Sequence, residues 1–173
     1  MKTLTRTGIA FGFAALLPFA SVAAQPQLAL DTPVFAPSTD TDPTLIAARW
    51  EEAEQLRFEG RLDEALEAYE GIVELQIESF ENAARTYWVI AEIHNAMGNQ
   101  HEMVKAMDKV VSHARLFGDN ELRARALIES AAGYSRIRNH AAAQARMDEL
   151  EGMIETGNLS RELREYITRR IRA

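Results

Sequence analysis

All five prolines of this 173-residue chain, Pro18, Pro26, Pro33, Pro37 and Pro43, lie within its first 43 residues. Proline lacks the backbone donor a helix interior needs, and its ring clashes with the preceding turn. Everything after Asp42-Pro43 is therefore free to be helical, with Asp42 placed as an N-cap and Pro43 as the first helical residue. Cysteine is absent, which excludes a disulfide framework, thiolate metal sites, a cysteine nucleophile and a lipidated N-terminal cysteine. Packing alone must hold the fold. The length and the balance of 47% hydrophobic to 26% charged residues suit one ordinary globular domain.

Within the proline-free part the chain repeats. Three segments superimpose by their central turns, Phe58-Glu59-Gly60-Arg61, Ala96-Met97-Gly98-Asn99 and Arg136-Ile137-Arg138-Asn139, and the turn residues Gly60, Gly98 and Arg138 are 38 and 40 residues apart. That period is one of helical repeats. Around each turn the same positions are small or apolar: Ala53, Ala91 and Ala131, then Leu56 and Tyr134 before it, and Ala65, Ala143, Tyr69, Met107, Met147, Ile72, Val110 and Leu150 after it. Their spacings of three and four put each set on one helical face, so every segment reads as helix, tight turn, helix. Close approach of two helices requires short side chains, which Ala53 opposite Ala65 and Ala91 opposite Met103 provide. A hairpin of this length is too small to fold alone, so the hairpins must stack.

The stretch Gly60-Arg61-Leu62-Asp63-Glu64-Ala65-Leu66-Glu67-Ala68-Tyr69, with Tyr87-Trp88-Val89-Ile90-Ala91 and the third segment Leu127 to Leu150, resembles the tetratricopeptide repeat (TPR) family in its extended-period form. The period exceeds the family's usual length, no proline closes a repeat, and Arg138 stands where glycine is usual. The resemblance implies an all-α fold: a right-handed superhelix of about three TPR-like hairpins within residues 44–157, at about 46–79, 84–117 and 124–157, with Leu116 to Asn120 as a linker. Gly118 and Gly157 are expected to end helices in the left-handed conformation, with Asp119 or Asn120 capping the helix after Gly118 and Asn158 the helix after Gly157. Residues 158–173 are expected to form a capping helix, with Leu159, Leu163, Tyr166, Ile167 and Ile171 in a stripe among five arginines. A basic amphipathic helix also suits an anionic membrane surface, but closing the array already requires that stripe.

The N-terminus reads as a secretory signal over residues 1–24. Lys2 and Arg6 precede an apolar run from Gly8 to Phe19, and Ser21-Val22-Ala23-Ala24 offers small residues for cleavage near Ala24. The run is short of the roughly 20 residues a spanning helix needs. The expectation is an exported protein, periplasmic or secreted, with residues 25–43 as a Pro-containing linker. Removing residues 1–24 would shift the formal net charge from -7 to -9, which argues against nucleic acid as a partner. Residues 38–82 hold thirteen acidic side chains against three arginines, and residues 83–173 fourteen basic against twelve acidic. Such runs are most often solvated faces, but opposed ends also suit docking between copies of the chain.

The resemblance further implies that first helices line a concave groove for a protein or peptide. Its groove positions fall here on Trp50, Glu54, Arg57, Arg85, Trp88, Glu92, Arg125, Ile128 and Arg136. Trp50, Trp88 and Ile128 form an apolar row flanked by arginines, suited to an apolar or aromatic segment with acidic neighbours. A one-residue change of register would instead bury both tryptophans, and both readings stand. The lysine and asparagine set with which family members clamp a carboxylate terminus is missing. No catalytic or cofactor pattern stands out: His94, His101, His113 and His140 make no metal signature, there is no glycine-rich phosphate loop, and no Glu-x-x-His pair occurs. The expectation is a non-enzymatic scaffold or adaptor without cofactor or metal, the alternatives being a self-assembling envelope protein and a small-ligand-binding helical protein.

Overall fold

The computed structural model of the chain describes residues 43–157 and 159–171, without the side chains of Pro43, Arg170 and Ile171. The expected secretory signal and cleavage site, nearly all of the expected linker, the expected Asp42 cap and Asn158 lie outside the described residues. Within them there are seven helices and no strand: α1 Pro43–Phe58, α2 Leu62–Glu78, α3 Ala84–Ala96, α4 Gln100–Leu116, α5 Asn120–Arg136, α6 His140–Glu155 and α7 Arg161–Ile171. From α1 to α6 each helix packs against the next. The third pair of helices starts at Asn120, four residues before the expected start at 124, because three residues suffice for the turn.

Helix ends explain the tight connections. Gly60, Gly98 and Arg138 all take the left-handed conformation, at φ +77°, +78° and +61°. In each case the next residue's N–H reaches back to a carbonyl of the last turn: Arg61 to Leu56 at 3.0 Å, Asn99 to His94 at 2.8 Å and Asn139 to Tyr134 at 2.9 Å. These 6→1 bonds satisfy carbonyls the helix leaves open. Gly118 and Gly157 are left-handed as well, and Asp119 caps α5 by accepting from Leu122 N at 3.0 Å. Arg138 carries a side chain where glycine costs nothing. Arg138→Gly should therefore raise the unfolding free energy by about 0.5–1 kcal/mol, the left-handed penalty less the extra freedom glycine gains in the unfolded chain. Gly98→Ala should lower it by about 1 kcal/mol. Thermal melts of the two variants would read both signs.

The core lies between successive helices. Ala53, Ala65, Tyr69, Ile72, Ala91, Met107, Val110, Ala131, Ala143 and Leu150 are buried, while Leu56, Tyr134 and Met147 are half-buried against them. Helices α4 and α5 bury the most residues, α4 from Met103 and Val104 through Met107 to Val110, Val111 and Ala114, since each packs on the helix before it and the helix after it. Each fully buried Ile, Leu or Val contributes roughly 1.5–3 kcal/mol. Among the described glycines the tightest approach is at Gly133 of α5, where a Cβ would lie 2.5 Å from Val104 Cγ1 and 2.7 Å from Met103 Cε. In the C-terminal segment the stripe Leu159, Leu163 and Ile167 is buried.

Candidate functional site

Side chains of α1, α3 and α5, the first helices of the pairs, meet in a connected surface, with Arg57 of α1 bonded to Glu92 of α3 and Trp88 of α3 sharing a cavity with Arg125 and Ile128 of α5. This surface begins at Trp50, whose ring stands edge-on to Tyr69 at 5.3 Å between centroids. The Tyr69 hydroxyl donates to Glu54 Oε1, and Arg57 donates to Glu54 Oε2 at 3.1 Å and to Glu92 Oε2 at 3.2 Å. The Trp88 indole N–H closes the chain on Glu92 Oε1 at 2.8 Å. Side chains from α1, α2 and α3 thus hold one another in place. Burial and the bond to Glu54 push the Tyr69 phenol well above its ordinary pKa, so it remains a donor.

Beyond Trp88 the surface sinks into a cavity of about 130 Å³, lined by Trp88, Arg125, Ile128, Glu129 and Tyr166. A cavity of roughly 150 Å³ admits a benzene ring, so this one is of single-side-chain size. Tyr166 belongs to α7 and is 45% exposed. Arg125 also lines a neighbouring cavity of about 290 Å³ with Glu121, Ser160, Glu162, Leu163 and Tyr166.

Three of the nine expected groove residues, Trp88, Arg125 and Ile128, therefore meet in one cavity, and Glu54, Arg57 and Glu92 join Trp88 through hydrogen bonds. Arg85 is exposed at the start of α3. Arg136 lies apart, where it donates to Gln100 Oε1 at 3.4 Å. The tryptophans divide between the two readings. Trp50 packs on the core and Tyr69, whereas Trp88 packs on the core and also borders the cavity. Of the arginines expected to flank the apolar row, Arg57 is held between Glu54 and Glu92, and Arg125 has Glu121, Glu129 and Glu162 around its two cavities. Such a surface offers apolar and aromatic contact with mixed charge rather than a basic strip.

A second cluster joins α4, α5 and α6, and sequence reasoning misses it. The α4 residue Asp108 accepts from Ser130 Oγ at 2.9 Å, Tyr134 OH at 2.6 Å and Arg146 Nε at 3.0 Å, and the Arg146 guanidinium lies over the Tyr134 ring. On α6, Glu149 accepts from Arg115 at 2.6 Å and from Arg123 at 2.7 Å. Ser130 is fully buried within an apolar stretch, and a serine at that position is the one signal the sequence offers. Burial raises the Asp108 pKa, but the bonds from Arg146, Tyr134 and Ser130 outweigh it, and the carboxyl sits below its ordinary value. Glu149 is lowered in the same way, against burial, by Arg115 and Arg123. Burial, with Lys109, lowers His113.

A lowered pKa in the fold means stability present above the unfolded value and lost as pH falls through the folded one. All three groups act in this direction. The melting temperature should decline below about pH 6.5 as His113 begins to resist protonation, and more steeply below about pH 4 as Asp108 and Glu149 do. Melts of wild type and Asp108→Asn would check this, since the variant should lose part of the acid limb.

Among the described residues, no group of three or more His, Asp or Glu is placed to hold a metal ion, and no helix is long and apolar enough to cross a membrane. Compared with known protein families, curated proteins and solved structures, the chain has no match.

Proposed function

We propose that this chain is an exported, TPR-like scaffold or adaptor that binds a protein or peptide partner along the surface of α1, α3 and α5. In this reading the three pairs of helices form a right-handed superhelix of extended-period repeats, and α7 caps it. The signal is cleaved near Ala24, and the mature protein works in the periplasm or outside the cell. No catalytic step, cofactor or nucleic acid is involved.

The observation that carries the reading is the meeting of Trp88, Arg125 and Ile128 in one cavity. The repeat resemblance alone marks these three positions, and they come from two different helices. A half-buried tryptophan, an exposed tyrosine and an arginine around a cavity of single-side-chain size are the residue types that dominate protein interfaces. The bonds from Tyr69 through Glu54, Arg57 and Glu92 to Trp88 fix the indole before any partner arrives, which lowers the ordering cost of binding. With Arg57 paired to two glutamates and carboxylates among the residues lining the cavities of Arg125, an aromatic or aliphatic anchor residue would supply most of the affinity.

Peptides selected against the mature protein from a random display library provide the test. The double variant Trp88→Ala with Tyr166→Ala should bind them at least about tenfold more weakly, a change of about 1.4 kcal/mol, while its circular dichroism stays that of wild type. A folded variant with unchanged affinity, or a library that yields no binder, would overturn the assignment.

A further inference from the structure

Arg57 meets Glu92 and Arg136 meets Gln100, so the turns at Gly60, Gly98 and Arg138 gather at one end of the described helices. Two features at that end lie outside the groove cavity, apart from Ile128, which borders both. The first is a slot of about 380 Å³ between α5 and α6, with Ile128, Ala131 and Ala143 at its floor and Ala132, Ser135 and Met147 along its sides. The second is Phe58, in the last turn of α1, which is 88% exposed. We propose that the slot receives Phe58 of a second copy of this chain, joining copies head to tail.

The equivalent place in the preceding pair shows what such a slot accepts. Five, six and nine residues after the turn residue stand Met103, Val104 and Met107 in one pair and Ala143, Gln144 and Met147 in the next. The first set is covered by α5, which needs Gly133 to come close enough. The second set is not covered in this way. The eleven-residue α7 lies beside the opposite half of α5, at Glu121 and Arg125. Where Met103 meets a glycine in one pair, the smaller Ala143 leaves room for a large side chain in the next. The slot exceeds the roughly 150 Å³ that admits a benzene ring, so it has space for a phenyl group and part of its backbone.

Charge selects the partner. The slot's segment, residues 128–148, holds Arg136, Arg138 and Arg146 against Glu129 and Asp148, while Phe58 stands in a stretch with Glu51, Glu52, Glu54, Glu59, Asp63 and Glu64 against Arg57 and Arg61. The two surfaces have opposite sign, which favours one copy's α1 end on another's α5–α6 end. Knob and slot lie on different parts of the chain, so the contact is heterologous and each added copy offers a new slot.

Sedimentation of the mature chain up to millimolar concentration tests the inference. Wild type should rise past twice the monomer mass, and Phe58→Ser should remain monomeric at every concentration. Ala132→Phe, which fills the slot from its own side, should also remain monomeric. An equimolar mixture of the two variants has one intact knob and one intact slot, and should stop at the dimer. Should Ala132→Phe melt abnormally, Arg136→Glu with Arg138→Glu takes its place and should weaken association at least about tenfold. A wild type that stays monomeric throughout, or a Phe58→Ser that assembles like wild type, would overturn the proposal. Phe58→Ser should still bind groove-selected peptides, so failure here and failure of the groove reading are told apart.

Discussion

Replacing Gly133 with leucine should lower the unfolding free energy by about 3 kcal/mol, the upper part of the range overpacking spans, and the melting temperature by about 10 °C. Even a Cβ at this position would stand 2.5 Å from Val104 Cγ1 and 2.7 Å from Met103 Cε. The Met103 methyl swings aside easily, but Val104 is branched at Cβ and has few rotamers to choose from. A leucine would have to push α4 and α5 apart, opening the contact that buries Met103, Val104 and Met107. The control is a helical glycine without neighbours. At Gly71 and Gly152 a Cβ would meet nothing within 4 Å, so Gly71→Ala and Gly152→Ala should each stabilise by up to about 1 kcal/mol through helix propensity. Calorimetry should find opposite signs in helices of similar length. A neutral Gly133→Leu would mean that α4 and α5 do not approach as closely as described.

Asp108→Ala should cost about 2 kcal/mol. The substitution removes the one acceptor shared by Ser130, Tyr134 and Arg146 and so uncouples α4 from both α5 and α6. Breaking a fully buried ion pair costs roughly 3–5 kcal/mol, but the Asp108 and Arg146 side chains retain 28% and 26% exposure, and water reaching them reduces the loss. The buried Ser130 hydroxyl has no such relief. Asp108→Asn keeps the shape and removes the charge, so it should lose less than alanine, and Arg146→Ala combined with Asp108→Ala should lose less than the two single losses added. Chemical denaturation with an unchanged slope would read these differences as stability alone.

How much of the structure is legible in the sequence depends on the kind of interaction. The turns are readable because Gly60 and Gly98 mark left-handed helix ends and apolar residues recur around them at helical spacing. Arg138 is recognisable only because its neighbours repeat those of the glycines, and it takes the same φ sign at the cost of a side chain there. Burial of Ala53, Ala65, Ala91 and Val110 follows from the same spacing. The start of the third pair lies earlier than expected, since Leu116 to Asn120 reads as a glycine-containing linker although the helices use part of it. Ion pairing is not legible. Arg57 and Glu92 are 35 positions apart, and no local rule says that the one neutralises the other. The Asp108 cluster, which joins three helices, is hidden for the same reason, and Gly133 looks like an ordinary helical glycine until its neighbour across the interface is known.

The proposed binding surface rests most directly on the behaviour of two indoles. The chain has only Trp50 and Trp88, so the mature protein labelled with ¹⁵N presents two indole N–H resonances. Trp50 stands against Tyr69, away from the cavity, while Trp88 lines it and donates to Glu92. On titration with a selected peptide the Trp88 resonance should move in proportion to occupancy and further than the Trp50 resonance. Saturation of the peptide with the Trp88 resonance unmoved would contradict the account, because the partner would then be bound somewhere other than the surface of α3 and α5.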